Sequence, residues 1–173
     1  MGMDKRPVIL AVDQAKLSGF AVGRPGDTPK SGTITIPKTK DDCEYYYRVR
    51  IEMKMLVEKF QPDVFALERP FFAAKFAHSG VKLIGTAAVV KGLLHEMGIS
   101  DVYEIDNASW KKTLCGTNRF NKKTRPYPPI DNCEMRGWNT GDSNDRADAF
   151  GIWLHTCNIV APDMNLDLPL LAG

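Results

Sequence analysis

Two short apolar runs that each finish in a carboxylate, Val8 to Asp13 (VILAVD) and Asp63 to Glu68 (DVFALE), constrain the fold more than anything else in this chain. Such a run is too short for a helix and suits a strand buried on both faces. The terminal acid then stands at the carboxyl end of its strand, the edge where α/β sheets form their sites. Between the two runs, Ser18 to Gly23 (SGFAVG) and Gly32 to Pro37 (GTITIP) follow Gly and Pro punctuation, which predicts an antiparallel meander. Tyr46, Val49, Met53, Leu56 and Phe60 then recur at helical spacing from Asp42 to Phe60, and Pro62 ends the run.

The remainder alternates helix and strand. Arg69 to Gly80 reads as a loop holding Pro70, Phe71, Phe72 and Phe76. Val81 to Met97 predicts a helix with a core stripe (Leu83, Ala87, Val90, Leu94, Met97) and a second stripe of mostly small residues (Val81, Gly85, Ala88, Gly92). The second stripe suits either a partner chain or close packing within this one. Val102 to Asp106 predicts a fifth strand, with Asn107 as the N-cap of a short helix through Leu114. Gly116 to Asp142 is irregular, with a helical turn or two around Ile130 to Arg136. Ser143 to Val160 predicts the last helix, and the tail beyond Pro162 a loop. The order βββαβαβα implies an α/β fold, a mixed sheet of five strands flanked by helices. Residues 1–173 are expected to form one domain, with an ordered core over about 7–160 and a C-terminal tail over 161–173.

Composition excludes several classes. A chain of 173 residues with 43% hydrophobic residues, 14 Gly and 11 Pro is neither disordered nor collagenous. Its longest apolar stretches fall far short of the roughly 20 residues that span a bilayer, so no membrane association is expected. The N-terminus lacks signal-peptide and myristoylation patterns, which makes the cytoplasm the expected location. Cys43, Cys115, Cys133 and Cys157 show no zinc-ligand spacing and read as reduced thiols. His78, His95 and His155 are isolated, and neither a nucleophilic triad nor an organic cofactor is indicated.

Four acids stand where chemistry could use them. Asp13 and Glu68 would leave neighbouring parallel strands at the same sheet edge, while Asp145 and Asp148 share one face of the last helix at i, i+3. Clustered carboxylates repel one another, and a metal is an economical counter-charge. Oxygen-only donors favour Mg²⁺ or Mn²⁺, and a pair of such ions is suited to attack on a phosphodiester. The net charge of +2 conceals a segregated one: from Asn107 to Ile130 there are Lys111, Lys112, Arg119, Lys122, Lys123 and Arg125 but no acid. Trp110, Phe120 and Tyr127 are interleaved with them. Basic side chains neutralise phosphates and aromatic rings stack on unpaired bases, so this segment is a candidate nucleic-acid contact. Phe71 and Phe72, beside Glu68, are candidates for a wedge between bases.

The blocks ILAVDQAKLSGFAVG, ALERPFFAAKFAHSGVKLIGTAAVV, VYEIDNASWKKTLCGTNRFNKK and NDRADAFGIWLH resemble, in order and spacing, the RuvC-type Holliday-junction resolvases, in particular their short phage and prophage forms. The resemblance spans about four-fifths of the chain. It implies a ribonuclease H-like fold, a homodimer built on the helix after the Glu-bearing strand, and Mg²⁺-dependent hydrolysis at two metal ions, with Mn²⁺ substituting. The implied substrate is branched DNA, above all the four-way junction. By the same resemblance Asp13, Glu68, Asp145 and Asp148 are the catalytic, metal-binding carboxylates, Phe71 stacks on a base at the branch point, and Lys111 and Lys122 lie near the scissile phosphate. A less selective nuclease for flaps, forks or RNA–DNA hybrids, and a catalytically weak junction-binding protein, are the alternatives. Asp142 stands one turn before Asp145, so the helix pair can also be read as Asp142 and Asp145. Pro126, Pro128 and Pro129 interrupt the segment where the family has a helix.

Overall fold

The computed structural model describes residues 4–14, 19–70, 77–121 and 123–164. Five strands form one sheet: β1 (Ile9–Asp13), β2 (Gly19–Gly23), β3 (Lys30–Thr33), β4 (Val64–Glu68) and β5 (Asp101–Ile105). Their order across the sheet is β3-β2-β1-β4-β5. The β1–β2 and β2–β3 pairs are antiparallel, and β1–β4 and β4–β5 are parallel. This is the mixed sheet expected from the order of elements. One boundary shifts: β3 begins earlier than the Thr/Ile alternation suggested and stops at Thr33, which pairs with Gly19, the first residue of β2. Ile34, just beyond the ladder, is nevertheless buried in the core.

The helices are α1 (Asp42–Phe60), α2 (Ala77–Glu96), α3 (Asn107–Cys115), α4 (Pro128–Met135) and α5 (Asn144–Val160), followed by a 3₁₀ turn, Pro162–Met164. Strand alternation divides the core in two. Ile9, Ala11, Val64 and Ala66 pack on the side of α3, α4 and α5, with Trp110, Phe150 and Trp153. Leu10, Val12, Phe65 and Leu67 pack on the other side, with Val49 and Met53 of α1 and Val90 and Leu94 of α2. Burying both faces of β1 and β4 is what made these runs uniformly apolar.

Local chemistry sets the helix ends. Asp41 caps α1 by accepting from the Glu44 amide, and α1 closes at Gln61 in the left-handed region. The cap of α3 is Asp106, not Asn107; its carboxylate accepts from both the Ser109 amide and the Ser109 hydroxyl. Ser143, read as the first residue of the last helix, is instead the cap of α5 and accepts from the Arg146 amide. Pro128 and Pro129 do not interrupt a helix but open α4, since proline lacks an N–H that the first turn would leave unpaired. The loop expected through Gly80 gives way to helix from Ala77.

Candidate active site

Val12 stands opposite Leu67 in the parallel β1–β4 ladder, so Asp13 and Glu68, one residue on, leave the sheet at the same edge. By alternation both continue the series that faces α3 and α5 (Ile9 and Ala11; Val64 and Ala66). The first two turns of α5 supply Asp145 and Asp148 to this place. One carboxylate oxygen from each of Asp13, Asp145 and Asp148 lies within 4.8 Å of the others. Asp13 and Asp148 are 1% and 3% exposed, so this cluster belongs to the interior of the fold, with Asp145 at its open side.

A close approach makes the cluster possible. Gly19 pairs with Asp13 across the β1–β2 ladder, and a Cβ on Gly19 would overlap the backbone carbonyl of Asp145. Without that side chain the start of α5 settles directly on the sheet. Arg146 secures the same end from the other side: its Nε donates to the Ser31 hydroxyl at 2.9 Å and a terminal nitrogen to the Asn139 carbonyl at 2.9 Å. The amide groups at the start of α5 add a favourable field for Asp145.

Two of the acids are held by donors from distant parts of the chain. The Tyr127 hydroxyl donates to Asp148 Oδ1 at 2.7 Å. Burial first, and then the Asp148 carboxylate, push the Tyr127 phenol far above its ordinary value, so it remains a donor at every working pH. Glu68 Oε1 accepts from Asn107 Nδ2 at 2.5 Å and from Trp110 Nε1 at 3.1 Å. These contacts redefine two aromatics of the basic segment. Trp110 is fully buried and Tyr127 only 3% exposed, so they orient carboxylates and are not platforms for bases. Gly151 of α5 makes room for the Trp110 ring, which a Cβ would overlap. Such donor roles have no signature in spacing, because each pair is formed across the fold.

The other candidate residues separate into groups. Glu68 shares the sheet edge but is not one of the three acids within 4.8 Å. Asp142 is exposed, sits at φ 58° ahead of the α5 cap and stands outside that cluster, to which the helix brings Asp145 and Asp148. Lys112, Arg119, Lys123 and Arg125 are exposed. Lys111 differs: it is 8% exposed, with its ammonium 3.4 Å from the Phe120 carbonyl and 4.8 Å from the Phe120 ring centre. Phe71, Phe72 and Lys122 lie outside the described residues. All four cysteines are free thiols. Burial pushes the Cys115 thiol up to about 12, so it is inert as a nucleophile. His155 bonds to Thr113 at 2.7 Å through Nδ1 and is not among the acids that could hold a metal ion.

The small-residue stripe of α2 serves two purposes. A Cβ on Gly85 would overlap the Tyr46 hydroxyl, so Gly85 packs within the chain against α1. Val81, Ala88 and Gly92 are exposed, together with Ile84. No described helix is long and apolar enough to cross a membrane.

No family model matches the chain, and no curated protein matches its sequence. Solved structures do. A Thermus thermophilus RuvC structure aligns with a TM-score of 0.65 at 18% identity, covering 88% of this chain and 95% of that one. T. thermophilus RuvC in complex with a Holliday junction substrate aligns with a TM-score of 0.68 at 19% identity, covering 91% and 97%. The yeast mitochondrial Holliday junction resolvase aligns with a TM-score of 0.60 at 14% identity, covering 91% and 81%. The fold is the ribonuclease H-like one of the RuvC structures, as the sequence blocks implied.

Proposed function

We propose that this chain is a metal-dependent endonuclease that cuts branched DNA, with the four-way junction as its principal substrate. The observation that supports this most directly is the convergence of Asp13, Asp145 and Asp148 within 4.8 Å at the carboxyl edge of a RuvC-like sheet. The donor set suits a hard cation: carboxylate oxygens alone, two of them buried, with no histidine or thiolate. Asp13, Asp145 and Asp148 would hold the metal, with Glu68 completing the site, and two Mg²⁺ ions, replaceable by Mn²⁺, are the proposed complement. Bound there, the metal supplies Lewis acidity to activate water and to stabilise the leaving oxygen of the phosphodiester.

The chain's own residues have separate tasks. Tyr127 fixes the rotamer of Asp148, and Asn107 with Trp110 fixes that of Glu68. Lys112, Arg119, Lys123 and Arg125 present an exposed basic surface that would neutralise phosphates of the bound arms. Lys111 and Lys122 are proposed near the scissile phosphate, and Phe71 and Phe72 as the stacking contacts at the branch, on the sequence resemblance. The active form is proposed to be a homodimer through the exposed apolar stripe of α2, Val81, Ile84 and Ala88.

Cleavage of a labelled four-way junction tests the assignment. Wild-type protein is expected to cut in Mg²⁺ and Asp13→Asn to lose that activity; an Asp13→Asn variant that cuts like wild type refutes the metal site. Rates on a fork and on an RNA–DNA hybrid set the selectivity. Equal rates on all three would make the protein a general nuclease, and junction binding without product in either metal would make it a binding protein only.

A further inference from the structure

A cavity of about 540 Å³ opens at the same sheet edge, lined by Gln14, Glu68, Arg69, Pro70, Leu83, Asp106, Asn107 and Ala108. It is bounded by the ends of β1 and β4, by α2 and by the start of α3. Gln14 follows Asp13 and is 2% exposed, but its neighbours differ, because alternation turns it toward α2. Gln14 Nε2 donates to the Leu83 carbonyl at 3.4 Å. A carbonyl only accepts, so this contact orients the amide and leaves Oε1 as the other end. Gln14 Oε1 is buried without a hydrogen-bond partner. A buried acceptor with no donor is destabilising and rare in a settled core, and here it borders a cavity that a ligand could enter.

The walls say what that ligand is. Pro70, Leu83 and Ala108 offer apolar surface, Glu68 and Asn107 are bonded to each other, the Asp106 carboxylate is taken by the Ser109 cap, and the Arg69 guanidinium donates to the Glu104 carbonyl. A flat ring with apolar faces and an N–H on its edge meets both requirements. Because Glu68 belongs both to this cavity and to the sheet edge that bears Asp13, the ring would arrive attached to the strand lying at the acids. We infer that the cavity receives one unpaired nucleobase next to the phosphodiester to be cut, with Gln14 Oε1 accepting from its amino group. The inference rests on the nuclease reading above and adds to it a base-reading residue. It predicts a preference for an amino-bearing base at one position beside the branch.

The test scans 2-aminopurine through the nucleotides flanking the branch of a four-way junction, bound in EDTA so that nothing is cut. Wild-type protein should raise the fluorescence at one position, as the base leaves its stack, and Gln14→Leu should lose that rise while still binding the junction. Ala108→Phe, which fills the cavity from an exposed position and leaves the core alone, should lose it too. In Mg²⁺, replacing guanine at that position by hypoxanthine, which lacks only the 2-amino group that 2-aminopurine also carries, should slow wild-type cutting roughly fivefold, the worth of one hydrogen bond. A junction bound with no such rise, or with the same rise in both variants, overturns the base pocket and leaves the nuclease reading intact. Failure of the wild-type protein to bind any branched DNA overturns both.

Discussion

Asp148 illustrates how much of a candidate metal ligand lies outside its own position. Its carboxylate is buried, close to two like charges, and held by a phenol supplied from the start of α4. Removing the phenol hydroxyl keeps the ring and the packing, so Tyr127→Phe should lower metal affinity about 10–100-fold, read by titrating cleavage with Mg²⁺. Unchanged half-saturation would show that Asp148 is held by other means. The acids themselves were legible in the sequence because each terminates an apolar run or lies three residues from another acid on one helix face. The donors were not: Tyr127 and Trp110 sit among lysines and arginines, where an aromatic suggests stacking, and only folding across the chain reveals their partners. A second residue-scale expectation concerns His155, whose ring is held below the ordinary histidine value by burial. Above about pH 6.5 it is neutral in folded and unfolded chains alike. Below that, the unfolded chain takes up a proton that the folded one resists, so stability falls as pH drops toward the lowered value. His155→Gln should flatten the fall in melting temperature over that window, and an unaltered slope would remove His155 as its cause.

At the scale of elements, the site is a meeting of a strand end and a helix start, and its tolerance is set by a missing side chain. Gly19→Ala places a methyl group against the Asp145 carbonyl, backbone that cannot swing aside. It should cost about 1–3 kcal/mol of stability and, by lifting the start of α5, most of the metal-dependent activity. Thermal melting together with a cleavage assay checks both, and a variant of wild-type stability and activity would mean that α5 can shift freely. The strands and long helices were legible from periodicity and from punctuation by Pro and Gly. Two features were not. The prolines of the basic segment looked like breakers, yet Pro128 and Pro129 occupy the one helical turn that accepts them. The end of β3 depended on where its partner strand begins, which alternation within β3 itself cannot express.

For the molecule as a whole, the sheet divides labour between its faces. One side buries Trp110, Phe150 and Trp153 beneath α3 and α5 and meets the acids at its edge; the other packs α1 and α2 and leaves Val81, Ile84 and Ala88 exposed on α2. If that stripe is the dimer contact, Ala88→Lys should shift the protein from dimer to monomer at micromolar concentration in sedimentation, with its melting profile otherwise retained. Wild-type protein that is monomeric at every concentration would rule the contact out. The division into faces was readable from the uniformly apolar strands, whereas the split of the α2 stripe was not, since Gly85 is taken by Tyr46 of α1. Finally, α5 touches every strand of the sheet and also brings two of the three clustered acids. During synthesis, therefore, a ribosome must release this late segment before the core under α3 and α5 or the cluster of acids can be completed, whereas the core under α1 and α2 is encoded wholly upstream.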